Sequence, residues 1–140
     1  SHIVLGTGPS CGGGQLKKAV DFYSNFYPDA KISVCSSNES ESMKIFANSF
    51  YSVKVQFFNE IYLLCEKTGC SYESVRDLML ENNWINPMHT IIPGPDGNVS
   101  YGGTCFPKDS NALNQYMKKL DTPHGVLEAS ITERNSMRKD

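Results

Sequence analysis

The sequence predicts a mostly α-helical chain that opens with a partial α/β unit. Three observations carry this prediction. A short apolar run at His2–Leu5 is followed by helical spacing from Gln15 to Phe26 and a second apolar run at Lys31–Cys35, in the order strand, helix, strand. An apolar pattern from Met43 to Cys65 then keeps helical period over a far longer stretch. Everything periodic after Ser71 is helical as well. The chain therefore divides into residues 1–36, the end of an α/β domain, and residues 37–140, a helical domain.

In the opening unit, Leu16, Ala19, Val20, Phe22, Tyr23 and Phe26 share one helical face, and the order makes a parallel crossover. Parallel sheets are normally covered on both faces, so the rest of this sheet is expected elsewhere and the chain is expected to begin inside a domain. The loop Gly6-Thr7-Gly8-Pro9-Ser10-Cys11-Gly12-Gly13-Gly14 invites a dinucleotide-binding reading, since it joins a strand to a helix. Two details count against it. Cys11 replaces the third glycine, and the second strand ends in Cys35-Ser36-Ser37, where an acidic residue would hold a ribose hydroxyl.

Asn38 and Glu41 form an expected capping box, after which Met43, Phe46, Phe50, Val53, Phe57, Phe58, Ile61 and Leu64 continue until Gly69 stops the helix. At 1.5 Å per residue this helix is about 45 Å long, more than a small domain needs, so its wide apolar face is expected to meet another subunit or further domains. Lys44 and Asn48, one turn apart, lie on a different face; they either point together at something or are simply solvated. Ser71 caps a shorter helix with Val75, Leu78 and Met79 inward, ending near Asn82-Asn83. The loop from Trp84 to Ser100 is long and contains His89, which on its own reads as an ordinary hydrogen-bonding residue as readily as a functional one. A helix to about Leu120, with Ala112, Leu113, Tyr116, Met117 and Leu120 on one side, precedes a last helix carrying Val126, Leu127 and Ile131.

The stretch Tyr101-Gly102-Gly103-Thr104-Cys105-Phe106-Pro107-Lys108-Asp109 is the most informative. Two glycines permit a tight turn, and Pro107 suits the first position of a helix, which puts Cys105 just outside a helix N-terminus. There the helix dipole and Lys108 favour a thiolate, the requirement for a nucleophilic cysteine. A free cysteine serving as a small buried hydrophobe is the competing reading.

The 140 residues carry 13 basic and 15 acidic side chains, for a net charge of −2, with no long block of either sign. That argues against nucleic acid or an anionic membrane as partner. The five cysteines follow no zinc spacing and no metal set is expected; an odd count fits a reducing, cytoplasmic compartment.

Lys44-x-x-x-Asn48, Asn59-Glu60-Ile61, Cys65-Glu66-Lys67-x-Gly69, Pro93-Gly94-Pro95 and the Tyr101–Asp109 stretch, in this order and spacing, resemble the nucleotide-sugar dehydrogenase family, nearest its UDP-glucose branch. The resemblance implies that residues 1–36 end a Rossmann-like NAD-binding domain and that residues 37–140 are a central helical domain through which a homodimer forms. It implies oxidation of the C6 alcohol of UDP-glucose to a carboxylate with NAD. Cys105 would be the nucleophile, and Lys44, Asn48 and Asp109 would handle the proton and the oxyanion. Tyr101, Gly102, Phe106 and His89 would line the substrate, and Lys108 would face the cofactor. The chain alone, without the cofactor fingerprint, is expected to be inactive. A non-catalytic dimerisation and substrate-positioning module, or action on GDP-mannose or a UDP-N-acetyl sugar, are the alternative readings. Trp84 stands where the family usually has an arginine that reaches a neighbouring subunit's substrate.

Overall fold

The computed structural model describes residues 1–138. Elements follow in the order β1 (His2–Thr7), α1 (Gly13–Phe26), β2 (Lys31–Ser36), α2 (Ser37–Thr68), α3 (Tyr72–Leu80), α4 (Cys105–Lys119) and α5 (Gly125–Met137). This is the expected mostly α chain with a partial α/β opening. The fold divides into two compact units, Ser1–Ile45 and Phe46–Asp140.

In the first unit, β1 and β2 pair in parallel, with His2 opposite Lys31 and Thr7 opposite Ser36. Gly12 precedes α1, and its N–H donates to Gln15 Oε1 at 2.9 Å, satisfying an amide that the helix start would leave open. Among the described residues of this unit none is buried. Two parallel strands and one helix hide too little apolar surface from water to form a core. Gly6 is fixed by packing: an added Cβ would lie 2.8 Å from Ser40 Cβ.

The capping box of α2 lies two residues earlier than expected. Ser36, not Asn38, is the reciprocal partner: its N–H donates to Glu39 Oε2 at 2.8 Å and its hydroxyl accepts from Glu39 N–H at 3.3 Å. The strand thus passes directly into the helix, and Asn38 is already helical. At the other end Gly69 takes φ +74°, and Cys70 N–H reaches back to Cys65 O at 3.1 Å, which closes the helix as the glycine predicts.

In the second unit, Phe58, Cys65, Tyr72 and Ile92 form a small core with Ile61, Tyr62, Val75, Met79 and Ile85 against it. Ser71 caps α3 by accepting from Ser74 N–H at 3.2 Å; the helix ends at Leu80, before Asn82. Leu78 is exposed, not inward. On α4 the buried side is not the apolar one. Asp109, Ser110 and Asn114 are buried, whereas Ala112, Tyr116 and Leu120 are exposed. On α5, Leu127 and Ile131 are buried as expected, but Val126 is not.

On α2 much of the wide apolar face turns outward, in line with the expectation that it meets something beyond this unit. Its buried residues include Ser49, Ser52, Gln56 and Asn59, while Phe46, Phe50, Phe57 and Leu64 are more than half exposed. Of the expected apolar set Phe58 and Cys65 are buried, while beside them Gln56 and Asn59 are turned inward, where they hydrogen-bond Ser100 of the loop before α4.

Candidate active site

Cys105 is the first residue of α4, with Thr104 before it, and Pro107 is the third. The expectation that Cys105 lies outside the helix is corrected by two residues: Gly103, at φ +74°, makes the bend, so the helix can begin immediately after Thr104. Cys105 is exposed, which removes the buried-hydrophobe reading.

Asp109 follows one helical turn later and is only 4 % exposed. Asn48 Nδ2 of α2 donates to its Oδ2 at 2.6 Å, and Lys108 Nζ pairs with its other oxygen. A carboxylate this deep needs such partners, because desolvation of an unpaired charge is costly. The hydrogen bond to Asp109, then its charge, holds the exposed Lys108 ammonium above the usual lysine range. Lys44 is exposed on α2, one turn before Asn48 in sequence and within the first unit.

The backbone between the helices is fixed by polar side chains. Ser110 Oγ donates to Phe106 O at 2.6 Å, and Ser52 Oγ approaches the same carbonyl at 3.5 Å. Ser100, in the left-handed region at φ +59°, donates its N–H to Asn59 Oδ1 at 2.7 Å and its hydroxyl to Gln56 Oε1 at 2.6 Å. Tyr101 is 3 % exposed, and its carbonyl accepts from Arg134 Nε at 3.0 Å.

His89, Tyr101, Gly102 and Phe106 all line one cavity of about 320 Å³, together with Asp96 and Ser100. That volume suits part of a small organic ligand. His89 packs 5.0 Å from Tyr51 and 5.3 Å from Phe106, centroid to centroid. Burial, and then the Lys54 charge, push its imidazolium below the ordinary value of 6.5. Lys54 Nζ in turn donates to Met88 O at 2.8 Å and to Asn86 O, tying down the turn that carries His89. A larger cavity of about 660 Å³, lined by Phe50, Phe57, Trp84 and Met88 among others, holds none of the predicted site residues.

The structure thus gathers the four predicted substrate residues around one cavity and joins Asn48 to Asp109. Cys105 adjoins Phe106 in the chain without lining that cavity. Sequence reasoning missed Ser52, Gln56, Arg134 and Arg138 and gave Asn59 no role. Asn48, Ser52, Gln56 and Asn59 recur at helical spacing, a polar stripe that could have been read; Arg134, in the last turn of α5, and Arg138, just past it, belong to no motif.

Among the described residues no three His, Cys, Asp or Glu side chains gather as a metal set, and no helix is long and apolar enough to cross a membrane. Residues 38–136 match the central domain of the UDP-glucose/GDP-mannose dehydrogenase family. A UDP-glucose 6-dehydrogenase of Pseudomonas aeruginosa is 30 % identical over 140 residues, covering 99 % of this chain and 29 % of that protein. One from Rhizobium meliloti is 34 % identical over 101 residues, 71 % of this chain and 22 % of the relative. In structure, a UDP-glucose dehydrogenase from Pyrobaculum islandicum aligns over 96 % of this chain and 29 % of its own, with a TM-score of 0.76 and 25 % identity. The chain therefore spans less than a third of the length of these relatives. Since the matched region runs from the start of α2 to the end of α5 and takes in the whole cysteine-bearing segment, the chain belongs to the UDP-glucose/GDP-mannose dehydrogenase family.

Proposed function

We propose that these residues form the central part of a dehydrogenase that oxidises the C6 alcohol of UDP-glucose to the carboxylate in two steps, with Cys105 as nucleophile. The observation that carries the reading is the arrangement on α4: an exposed cysteine at the first helical position, and one turn on a buried Asp109 held by Asn48. At the exposed start of α4 the Cys105 sulfur is open to a substrate carbonyl, as an attacking thiol requires.

In this reading Asp109, through water, takes the proton of the reacting hydroxyl, and the Asn48 amide stabilises the developing oxyanion. Lys44 enters the proposal through the family resemblance, as a second stabiliser of that charge. The aldehyde left by the first oxidation is captured by Cys105 Sγ as a thiohemiacetal; oxidation of that adduct gives a thioester, which water hydrolyses. The cavity walled by His89, Tyr101, Gly102 and Phe106 would hold part of the nucleotide sugar.

NAD would act as the hydride acceptor of the complete protein. The glycine loop after β1 lacks the dinucleotide fingerprint: Cys11 stands at the third glycine position, Gly6 is needed for packing on Ser40, and β2 ends in Ser36 rather than an acid. Lys108 remains the proposed cofactor contact on the strength of the resemblance. Trp84, 89 % exposed, offers a partner subunit no charge. The exposed Phe46, Phe50 and Phe57 support a homodimer through α2, and five free cysteines suit a cytoplasmic setting.

A single-turnover experiment on the complete protein with UDP-glucose tests the reading. Cys105→Ser should yield about one equivalent of NADH per site or less and retain aldehyde, because a serine hydroxyl is far less ionised than a thiol. Rapid release of two equivalents with free acid would remove Cys105 from the mechanism.

A further inference from the structure

Arg134 of α5 is 7 % exposed, a depth at which a guanidinium is seldom found without hydrogen-bonding partners. Its Nε donates to the Tyr101 carbonyl at 3.0 Å, and its Cζ stands 5.9 Å from the Tyr101 ring centroid. One turn later Arg138, whose side chain is 8 % exposed, donates Nη2 to Asp96 Oδ2 at 2.8 Å and Nη1 to Ser100 O at 3.5 Å. Its guanidinium lies flat against Gly102: a Cβ added there would stand 2.3 Å from Nη2. From α2, Asn59 and Gln56 take the N–H and hydroxyl of Ser100. Three consecutive residues, Ser100 to Gly102, are thus held from two helices immediately before the bend at Gly103 and the start of α4.

Glycines have the widest backbone freedom, so a Gly-Gly segment does not hold a following residue in place by itself. Arginine suits the task, since its planar fork keeps its charge and binds several acceptors in fixed directions. We propose that Arg134 and Arg138 are positioning residues that brace the Ser100–Gly103 backbone and thereby place Cys105 at the start of α4. The catalytic consequence rests on the reading of Cys105 as nucleophile; the brace itself does not.

Amide hydrogen exchange, resolved by peptide, tests the brace in the wild type, Arg134→Met, Arg134→Lys and Asp96→Asn. Arg134→Met should speed exchange of the Tyr101–Cys105 amides by roughly tenfold, with α3 and the part of α4 beyond Ser110 within about twofold of wild type. Arg134→Lys keeps a donor and a charge and should restore most of the protection. Asp96 is partly exposed, with a side chain at 45 %, so Asp96→Asn should fold normally and loosen Gly97–Gly103 by a smaller factor. Unchanged exchange in both Arg134→Met and Asp96→Asn would overturn the proposal, as would a rise spread evenly over the helices, which marks a loss of stability only. If Arg134→Met does not fold, Asp96→Asn and Arg134→Lys decide by the same criteria. In the complete dehydrogenase, Arg134→Met should lower kcat about tenfold and raise KM for the nucleotide sugar by a smaller factor, since the braced segment also walls the proposed substrate cavity. A loosened loop with unchanged kcat would refute positioning. A wild-type protein without turnover would sink the nucleophile reading, while exchange would still decide the brace.

Discussion

His89 holds a left-handed backbone, at φ +66°, with its ring between Tyr51 and Phe106. Burial and the Lys54 charge disfavour its protonated form in the folded state. As pH falls through 6.5 the unfolded chain therefore takes up this proton first. The stability contributed by the neutral ring is present above that value and is lost as pH drops toward the lowered folded value. His89→Phe removes the titration and keeps the ring contacts. Between about pH 7 and 5.5, above the carboxylate range, the urea midpoint of the wild type should fall more steeply than that of His89→Phe. Parallel slopes would show that His89 is not the titrating group. From the sequence His89 was one histidine in a loop; its setting comes from Tyr51, 38 positions away in number and unreadable from local pattern. Cys105 was easier to find, since two glycines, a proline and a lysine surround it. Its position was off by two residues because Pro107 tolerates the third helical place as well as the first, its missing N–H being unneeded at either.

Among the elements, α2 shows most sharply what periodicity conveys. The repeat of Phe46, Phe50, Val53 and Phe57 correctly predicts a helix and a wide apolar face, yet the face turned into the second unit carries Ser49, Ser52, Gln56 and Asn59. A loop with irregular backbone must have its N–H and C=O groups satisfied, and within this stripe Asn59 takes the Ser100 N–H while Gln56 takes its hydroxyl. Asn59, at 0 % exposure, is the critical member: its Nδ2 donates to Val55 O at 2.7 Å while its Oδ1 holds Ser100 N–H. Asn59→Ala strands that buried N–H and should destabilise the protein by about 1–3 kcal/mol, read from the denaturation midpoint at unchanged m-value. A loss near zero would mean that the Ser100 amide finds water instead. On α4 the inward polar residues have other partners: Asp109 meets the Asn48 and Lys108 side chains, and Ser110 returns its hydroxyl to Phe106 O of its own helix, neither of which a hydrophobic pattern reports.

For the molecule as a whole, the order of elements and the parallel pairing of β1 with β2 were legible, because turn residues and period mark them locally. What lies outside was legible only in part, since an apolar stripe looks alike whether it meets its own chain or another. Phe46, Phe50, Phe57 and Leu64 are each more than half exposed, and such surface in one stripe favours self-association. Light scattering should show wild-type dimers and a shift toward monomer in Phe57→Asp; a monomeric wild type, unaffected by the substitution, would contradict the homodimer. The outward-facing aromatics carry a further consequence for anyone measuring this protein. If folding is completed by a second copy, the melting temperature obeys mass action: it climbs with protein concentration in the wild type and stays flat in Phe57→Asp, so a single value quoted without a concentration describes the sample rather than the fold.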